Sequence, residues 1–313
     1  MKYLIDDHGR RIRKLRVSLT DKCNLRCHYC MPVDQKFMDE SKYMSADEIF
    51  TIIQELVDLG LEEVRITGGE PLLRKSFTQI VDRVGELKLN KLALTTNGIL
   101  IDKHLEVLKR NKVVHLNISL DSLNEENFKK ITFGNYLNRV LKNIQLAQEA
   151  GLIIKINTVM MRGVNDHELL DFVNFSRTLG VEVRFLELMR IGHARNDQVD
   201  QFISAKEMMD RIKTVTELSP VTSALDSTSF NFLTSSGAQV GFIASESQPF
   251  CGNCSRWRLS ADGILRACLL KDDGRDIRNL SSAERLENYK ELLGMKPVMR
   301  PLEVSHHMNS IGG

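Results

Sequence analysis

From about residue 13 to residue 190, short apolar runs alternate with longer segments whose apolar positions recur three and four residues apart. The runs 13–20, 62–68, 91–96, 113–120, 153–160 and 182–189 are rich in Val, Ile and Leu and mostly continuous. They predict six strands of a parallel sheet covered on both faces. The segments between them predict helices at 46–59, 76–87, 102–110, 136–150 and 166–179. In the first of these, Ile49, Ile52, Ile53 and Leu56 form one stripe, Ser45 and Glu48 a capping box, and Gly60 a stop. Six strand–helix units with right-handed crossovers build either a barrel-like sheet or an open doubly wound one, and periodicity does not choose between them.

The character changes after residue 190. The Ser/Thr-rich stretch 221–237 predicts hairpins or loops, a domain boundary is expected near 191–215, and a further helix is expected at 282–294 before an irregular tail.

Composition narrows the class. In 313 residues, 43 Lys and Arg stand against 41 Asp and Glu, a formal charge of +2, which argues against a dedicated nucleic-acid binder. No apolar stretch approaches the roughly 20 residues that cross a bilayer, and the first residues, with Asp6 and Asp7, lack a signal-peptide core, so the expected compartment is the cytoplasm. Six cysteines in such a chain read as metal or redox chemistry rather than disulfides.

Those cysteines fall into two sets of three. Cys23, Cys27 and Cys30 follow the first predicted strand, and Cys251, Cys254 and Cys268 have the spacing C-x-x-C-x13-C. Four thiolates normally complete an iron–sulfur cluster, so three would leave one iron of each free to bind a substrate. Structural zinc is the plainer alternative, with His28 completing a Cys3His set in the first triad. A non-enzymatic, zinc-stabilised binding protein would then be the reading.

The first triad, with aromatic Tyr29 before its last cysteine, resembles the C-x-x-x-C-x-x-C signature of radical S-adenosylmethionine (SAM) enzymes, and Gly68-Gly69-Glu70-Pro71 resembles their GGEP motif. Within them the chain is similar to the GTP 3′,8-cyclase (MoaA) family of molybdenum cofactor biosynthesis. That likeness rests on residues 15–23, on Arg65-Ile66-Thr67, on the block from Phe250 to Leu259 leading to Cys268, and on Gly312-Gly313. Ser255 and Trp257 depart from the family's usual residues. The resemblance implies an α/β fold: a partial (βα)6 TIM-like barrel over residues 1–200, and a smaller C-terminal region over 201–313 that carries a second iron–sulfur cluster.

It also implies two [4Fe–4S] clusters, one on each triad, with SAM at Tyr29, Gly69, Glu70, Ser119 and Met189. GTP would contact Arg16, Arg65, Thr96, Lys155, Arg184, Arg256, Trp257 and Arg258. Arg256, Arg258 and the tail glycines Gly312 and Gly313 would assist the reaction, in which a 5′-deoxyadenosyl radical takes the 3′ hydrogen of GTP and the ribose carbon attacks C8. The arginines and lysine stand at motif ends in a chain of almost no net charge, and guanidinium forks suit phosphate oxygens. Implied partners are an electron donor such as flavodoxin or ferredoxin and a downstream cyclic pyranopterin synthase, with the chain a monomer or homodimer. A radical SAM enzyme acting on a peptide or another purine nucleotide is the competing expectation.

Overall fold

The chain's structure, a computed structural model, describes residues 2–302, 304 and 307–311. The six expected strands are present as β1 (Lys14–Ser18), β2 (Glu63–Thr67), β3 (Lys91–Thr96), β4 (His115–Ser119), β5 (Ile153–Met160) and β6 (Glu182–Glu187), all parallel and adjacent in chain order. Helices α1 (Ala46–Asp58), α2 (Phe77–Gly85), α3 (Leu105–Arg110), α5 (Leu137–Glu149) and α6 (Leu169–Leu179) fill the expected crossovers. The capping box of α1 forms as its residues require, Ser45 accepting from the Glu48 N–H and Glu48 from the Ser45 N–H.

An additional helix, α4 (Glu125–Thr132), precedes α5. It escapes the periodicity argument because only Phe128, Ile131 and Thr132 are buried. Beyond β6 come α7 (Gln198–Gln201) and α8 (Ala205–Lys213), both inside the stretch expected to hold a boundary. The Ser/Thr-rich segment does build a hairpin, β7 (Leu218–Val221) with β8 (Phe230–Thr234), and β9 (Gln239–Ile243) carries it onto β6. At the other edge β10 (Arg256–Leu259) pairs in parallel with β1, followed by β11 (Ile264–Arg266), β12 (Arg275–Asp276) and α9 (Ser282–Gly294). A final turn, α10, spans Met308–Ile311. One twelve-stranded sheet therefore runs unbroken across residue 200, in the order β12-β11-β10-β1-β2-β3-β4-β5-β6-β9-β8-β7.

The sheet is rolled. In a flat sheet β8 and β1, seven strand steps apart, would be separated by about 34 Å. Asp226, in the loop between β7 and β8, nevertheless accepts hydrogen bonds from Arg13 and Lys14 at β1 at 2.8 and 3.0 Å.

The expectation that both sheet faces are covered needs correction. Burial alternates along β1, β5 and β6: Leu15, Val17, Ile156, Val183 and Phe185 pack outward under the helices. Lys14, Arg16, Lys155, Asn157 and Arg184 instead line an inner cavity. The helix-covered face is apolar and the concave face is charged, so the strands alternate with period two.

Candidate active site

The first triad lies in the loop at the carboxyl end of β1, where active sites of parallel barrels form. Its backbone is braced on the end of α4, with Arg26 N–H donating to the Thr132 carbonyl at 2.9 Å and His28 N–H to the Ile131 carbonyl at 3.0 Å. From the next strand, Gly69 N–H donates to the Thr20 carbonyl and Glu70 N–H to the Lys22 carbonyl, both at 2.7 Å. Gly68 sits at φ +150° with its α-carbon so close that an added Cβ would stand 2.6 Å from the Thr20 oxygen. At Gly69 a Cβ would lie 2.5 Å from the Asp21 oxygen and closer still to that of Lys22. The paired glycines are thus demanded by the cysteine loop itself.

Burial raises the thiols of this triad, Cys23 to about 11, Cys30 to about 12 and Cys27 well above its usual value. The sulfurs are close enough that Cys23 and Cys30 each push Cys27 up further. Three half-buried thiols that line one cavity suit a metal cluster, which would deprotonate them on binding, although among the described residues no three such side chains stand close enough to share a single ion. The Tyr29 hydroxyl donates to Asp121 Oδ2 at 2.7 Å, and burial lifts Asp121 to about 6 despite that bond and one from the Val159 N–H.

The second triad sits at the opposite end of the strands. Cys254 precedes β10, whose Arg256 pairs with Lys14 at the amino end of β1, and Cys268 lies just past Arg266, where antiparallel β11 returns to the same end. One strand length, roughly 15 Å, separates the two sets. Burial opposes ionisation of Cys254, but the charges of Arg256 and Lys296 outweigh it and bring the thiol down to about 7. Burial, with Cys268 and Cys254 nearby, pushes Cys251 up.

Between the triads is a cavity of about 620 Å³ lined by all six cysteines. Nine cations line it (Lys14, Arg16, Arg65, Lys91, Lys155, Arg184, Arg256, Arg258 and Arg300) against Glu63, Asp121 and Asp226. Burial, and then the charges of Arg258, Arg65 and Arg256, hold Arg16 well below its ordinary value. Burial and Arg184 bring Arg65 to about 10, and burial and Arg256 bring Arg258 to about 10. A polyanion in the cavity would offset this mutual repulsion. Glu182 bridges Lys155 and Arg184, accepting from them at 2.6 and 2.5 Å.

Of the residues expected at the site, Tyr29, Gly69, Ser119, Met189, Arg16, Arg65, Thr96, Lys155, Arg184, Arg256 and Arg258 line this cavity. Two do not. Trp257 alternates with Arg256 and Arg258, so the strand turns it outward into the core, fully buried against Tyr289. Glu70 is fully buried, its carboxylate accepting from Thr96 Oγ1 at 2.8 Å, Asn97 N–H at 2.7 Å and Leu72 N–H at 3.1 Å. Burial lifts it to about 7 despite these bonds. It locks the turn to β3 rather than facing a ligand. Gly312 and Gly313 lie outside the described residues, but Met308 and Asn309 of α10 line the cavity, and Asn309 Nδ2 donates to the Asp21 carbonyl at 3.1 Å. His28 lines a separate surface recess with Asn124 and His167, which removes the fourth ligand that the zinc reading needs.

A full-length relative decides the family. The chain is 59% identical over 312 residues to the GTP 3′,8-cyclase of Synechocystis sp., covering 100% of this chain and 95% of that one. The chain belongs to the GTP 3′,8-cyclase family. Other cyclases of this family, from Clostridium botulinum and Aquifex aeolicus, are 39% and 36% identical over 97% and 99% of the chain. Residues 17–176 match the Radical SAM superfamily, and residues 181–299 match Molybdenum Cofactor Synthesis C. The fold is that of Streptococcus suis SuiB bound to S-adenosylmethionine, with a TM-score of 0.64 at 15% identity over 89% of this chain and 67% of that chain. Among the described residues no helix is long and apolar enough to cross a membrane.

Asp121, Asp226, Lys14, Lys91, Arg300 and Asn309 were not singled out from the sequence, yet all line the cavity. For Lys14 a signal was available: it stands two residues before Arg16, on the same strand face.

Proposed function

We propose that this chain is a GTP 3′,8-cyclase that uses SAM and two [4Fe–4S] clusters to join C3′ of the ribose to C8 of guanine. The product is (8S)-3′,8-cyclo-7,8-dihydroguanosine 5′-triphosphate, in the first step of molybdenum cofactor biosynthesis. The observation that carries this reading is one cation-lined cavity with a three-thiol set at each end, in a chain so close to named cyclases. Three thiolates leave one iron of a four-iron cluster without a protein ligand, which suits a small molecule at each end.

Cys23, Cys27 and Cys30 would hold the cluster that serves SAM, and Cys251, Cys254 and Cys268 the cluster that faces guanine. When bound, the first cluster with SAM supplies a carbon radical, chemistry that no side chain offers. The chain's own residues bind and orient. Tyr29, Gly69, Ser119 and Met189 would surround SAM. Arg16, Arg65, Thr96, Lys155 and Arg184 would hold GTP, and Arg256 and Arg258 would grip its oxygens in fork geometry. Gly312 and Gly313 would assist the reaction. Residues 1–200 would generate the radical and share the substrate with residues 201–313, which add Arg256, Arg258 and the second triad. An electron donor such as flavodoxin or ferredoxin and a cyclic pyranopterin synthase downstream complete the setting, which is cytoplasmic.

The test is an anaerobic assay of reconstituted protein with GTP, SAM and a strong reductant. Formation of 5′-deoxyadenosine together with a cyclised isomer of GTP is expected, and Cys23→Ser should abolish both. Cleavage of SAM with GTP left unconverted, or zinc in place of iron after anaerobic purification, would overturn the reading.

A further inference from the structure

Behind the second triad, on the side away from the cavity, lies a buried lysine. Lys296 follows α9 and is only 4% exposed. Its Nζ donates to Cys254 Sγ at 3.3 Å, to the Arg256 carbonyl at 2.8 Å and to the Ala267 carbonyl at 3.0 Å. An ammonium has three N–H donors, and all three are used. None of these acceptors is a carboxylate. Burying such a charge is costly unless a group that can carry negative charge lies beside it, and here that group is the Cys254 sulfur.

The lysine is itself clamped. Arg10 donates from Nη2 to the Lys296 carbonyl at 2.9 Å, and from Nη1 to the Pro297 and Cys251 carbonyls at 2.7 and 2.8 Å. Its Nε is paired with Asp6 at 2.7 Å. One network thus reaches Cys251 through its carbonyl, Cys254 through its sulfur, and Cys268 through its neighbour Ala267.

We propose that Lys296 is a positioning residue for the second cluster, donating a charge-assisted N–H···S bond to Cys254 that raises the cluster's reduction potential and fixes the triad's orientation toward the nucleotide. Cluster potential follows net charge and the hydrogen bonds made to the sulfurs, and groups behind the ligands orient them. This rests on the two-cluster reading above, and the experiment separates the two.

In a full-length Cys23→Ala, Cys27→Ala, Cys30→Ala background, only the second cluster is left to titrate. If that protein, otherwise wild type, holds no four-iron centre, the two-cluster reading fails independently of Lys296. With the centre present, reductive titration followed by electron paramagnetic resonance compares Lys296→Met and Lys296→Arg. Lys296→Met should lower the ratio of reduced to oxidised cluster at a fixed potential by about tenfold, a fall of about 59 mV for one electron. Lys296→Arg, which keeps charge and donors, should stay within about threefold of the parent. If Lys296→Met fails to retain iron while Lys296→Arg retains it, the proposal also stands. Equal behaviour of the two variants, both unchanged, both shifted or both without cluster, would overturn it.

Discussion

The Lys14 ammonium donates a hydrogen bond to the Asp226 carboxylate at 3.0 Å, joining β1 to the hairpin at the far end of the sheet. Arg13 and Ser255 donate to the same carboxylate, at 2.8 and 2.5 Å. Ser255 therefore has a role in closing the barrel. The Asp226 loop carries Thr222, Ser223, Ser227 and Thr228 to the cavity wall, so this carboxylate couples closure of the fold to the shape of the site.

Asp226→Asn should destabilise the metal-free chain by about 1–2 kcal/mol, the lower range for hydrogen bonds to charged groups because Arg13 and Lys14 are partly exposed. The effect should depend on pH. Burial works against the Asp226 anion, but hydrogen bonds from Ser255 and Lys14 and the charges of Lys14 and Arg13 hold it below 3.8. A depressed folded value means that the stabilisation is complete above the unfolded value, near pH 4, and is lost as pH falls through the folded one. Urea unfolding should show wild type and Asp226→Asn separated at pH 7 and converging below pH 4. An unchanged gap at low pH would contradict the assignment.

The sequence made local structure legible wherever a few neighbouring residues decide it. The Ser45–Glu48 capping box and the helix over 282–294 follow from side chains three and four apart, and both form as expected. The cysteine sets were legible because ligand spacing is local too. The charged inner face was written in Lys14-x-Arg16, Glu63-x-Arg65, Glu182-x-Arg184 and Arg256-x-Arg258, but the Val and Ile between them made the runs look continuously apolar. What stayed hidden depends on closure: nothing near Asp226 in the chain indicates that it meets Lys14, 212 residues away.

Gly69→Ala should damage the first cluster and not only SAM binding. A Cβ there would strike the backbone oxygens of Asp21 and Lys22, which cannot rotate away as a side chain can. The cysteine loop must move, and iron content should fall by about four per chain while the second triad keeps its metal. Iron and sulfide analysis measures this. Full iron content with weakened SAM binding would show that the glycine serves the cofactor alone.

Arg256 and Arg258 face the cavity beside Arg16, and Arg256 also lies over the Phe250 ring at 5.1 Å. Replacing both by lysine keeps the charge and removes the fork. Loss of one or two charge-assisted bonds, at about 1.5–3 kcal/mol each, should cut GTP conversion by at least about tenfold. Reductive SAM cleavage at the other end of the barrel should continue. Chromatography that quantifies 5′-deoxyadenosine and cyclised nucleotide in one reaction separates the two. Wild-type conversion by the double variant would remove these arginines from the site.

Trp257, between those arginines, should behave as a core residue. Its indole is fully buried, lies 6.1 Å from the Tyr289 ring and leaves Nε1–H without a partner among the described residues. Trp257→Ala should cost about 3–5 kcal/mol through the cavity it opens. Trp257→Phe should cost much less, because it keeps an aromatic ring and deletes a buried donor that already pays a desolvation penalty. Neither change reaches the cavity wall, so the KM for GTP of the Phe variant should match wild type. A several-fold rise in that KM, without loss of stability, would show that Trp257 shapes the GTP site and is more than a core residue.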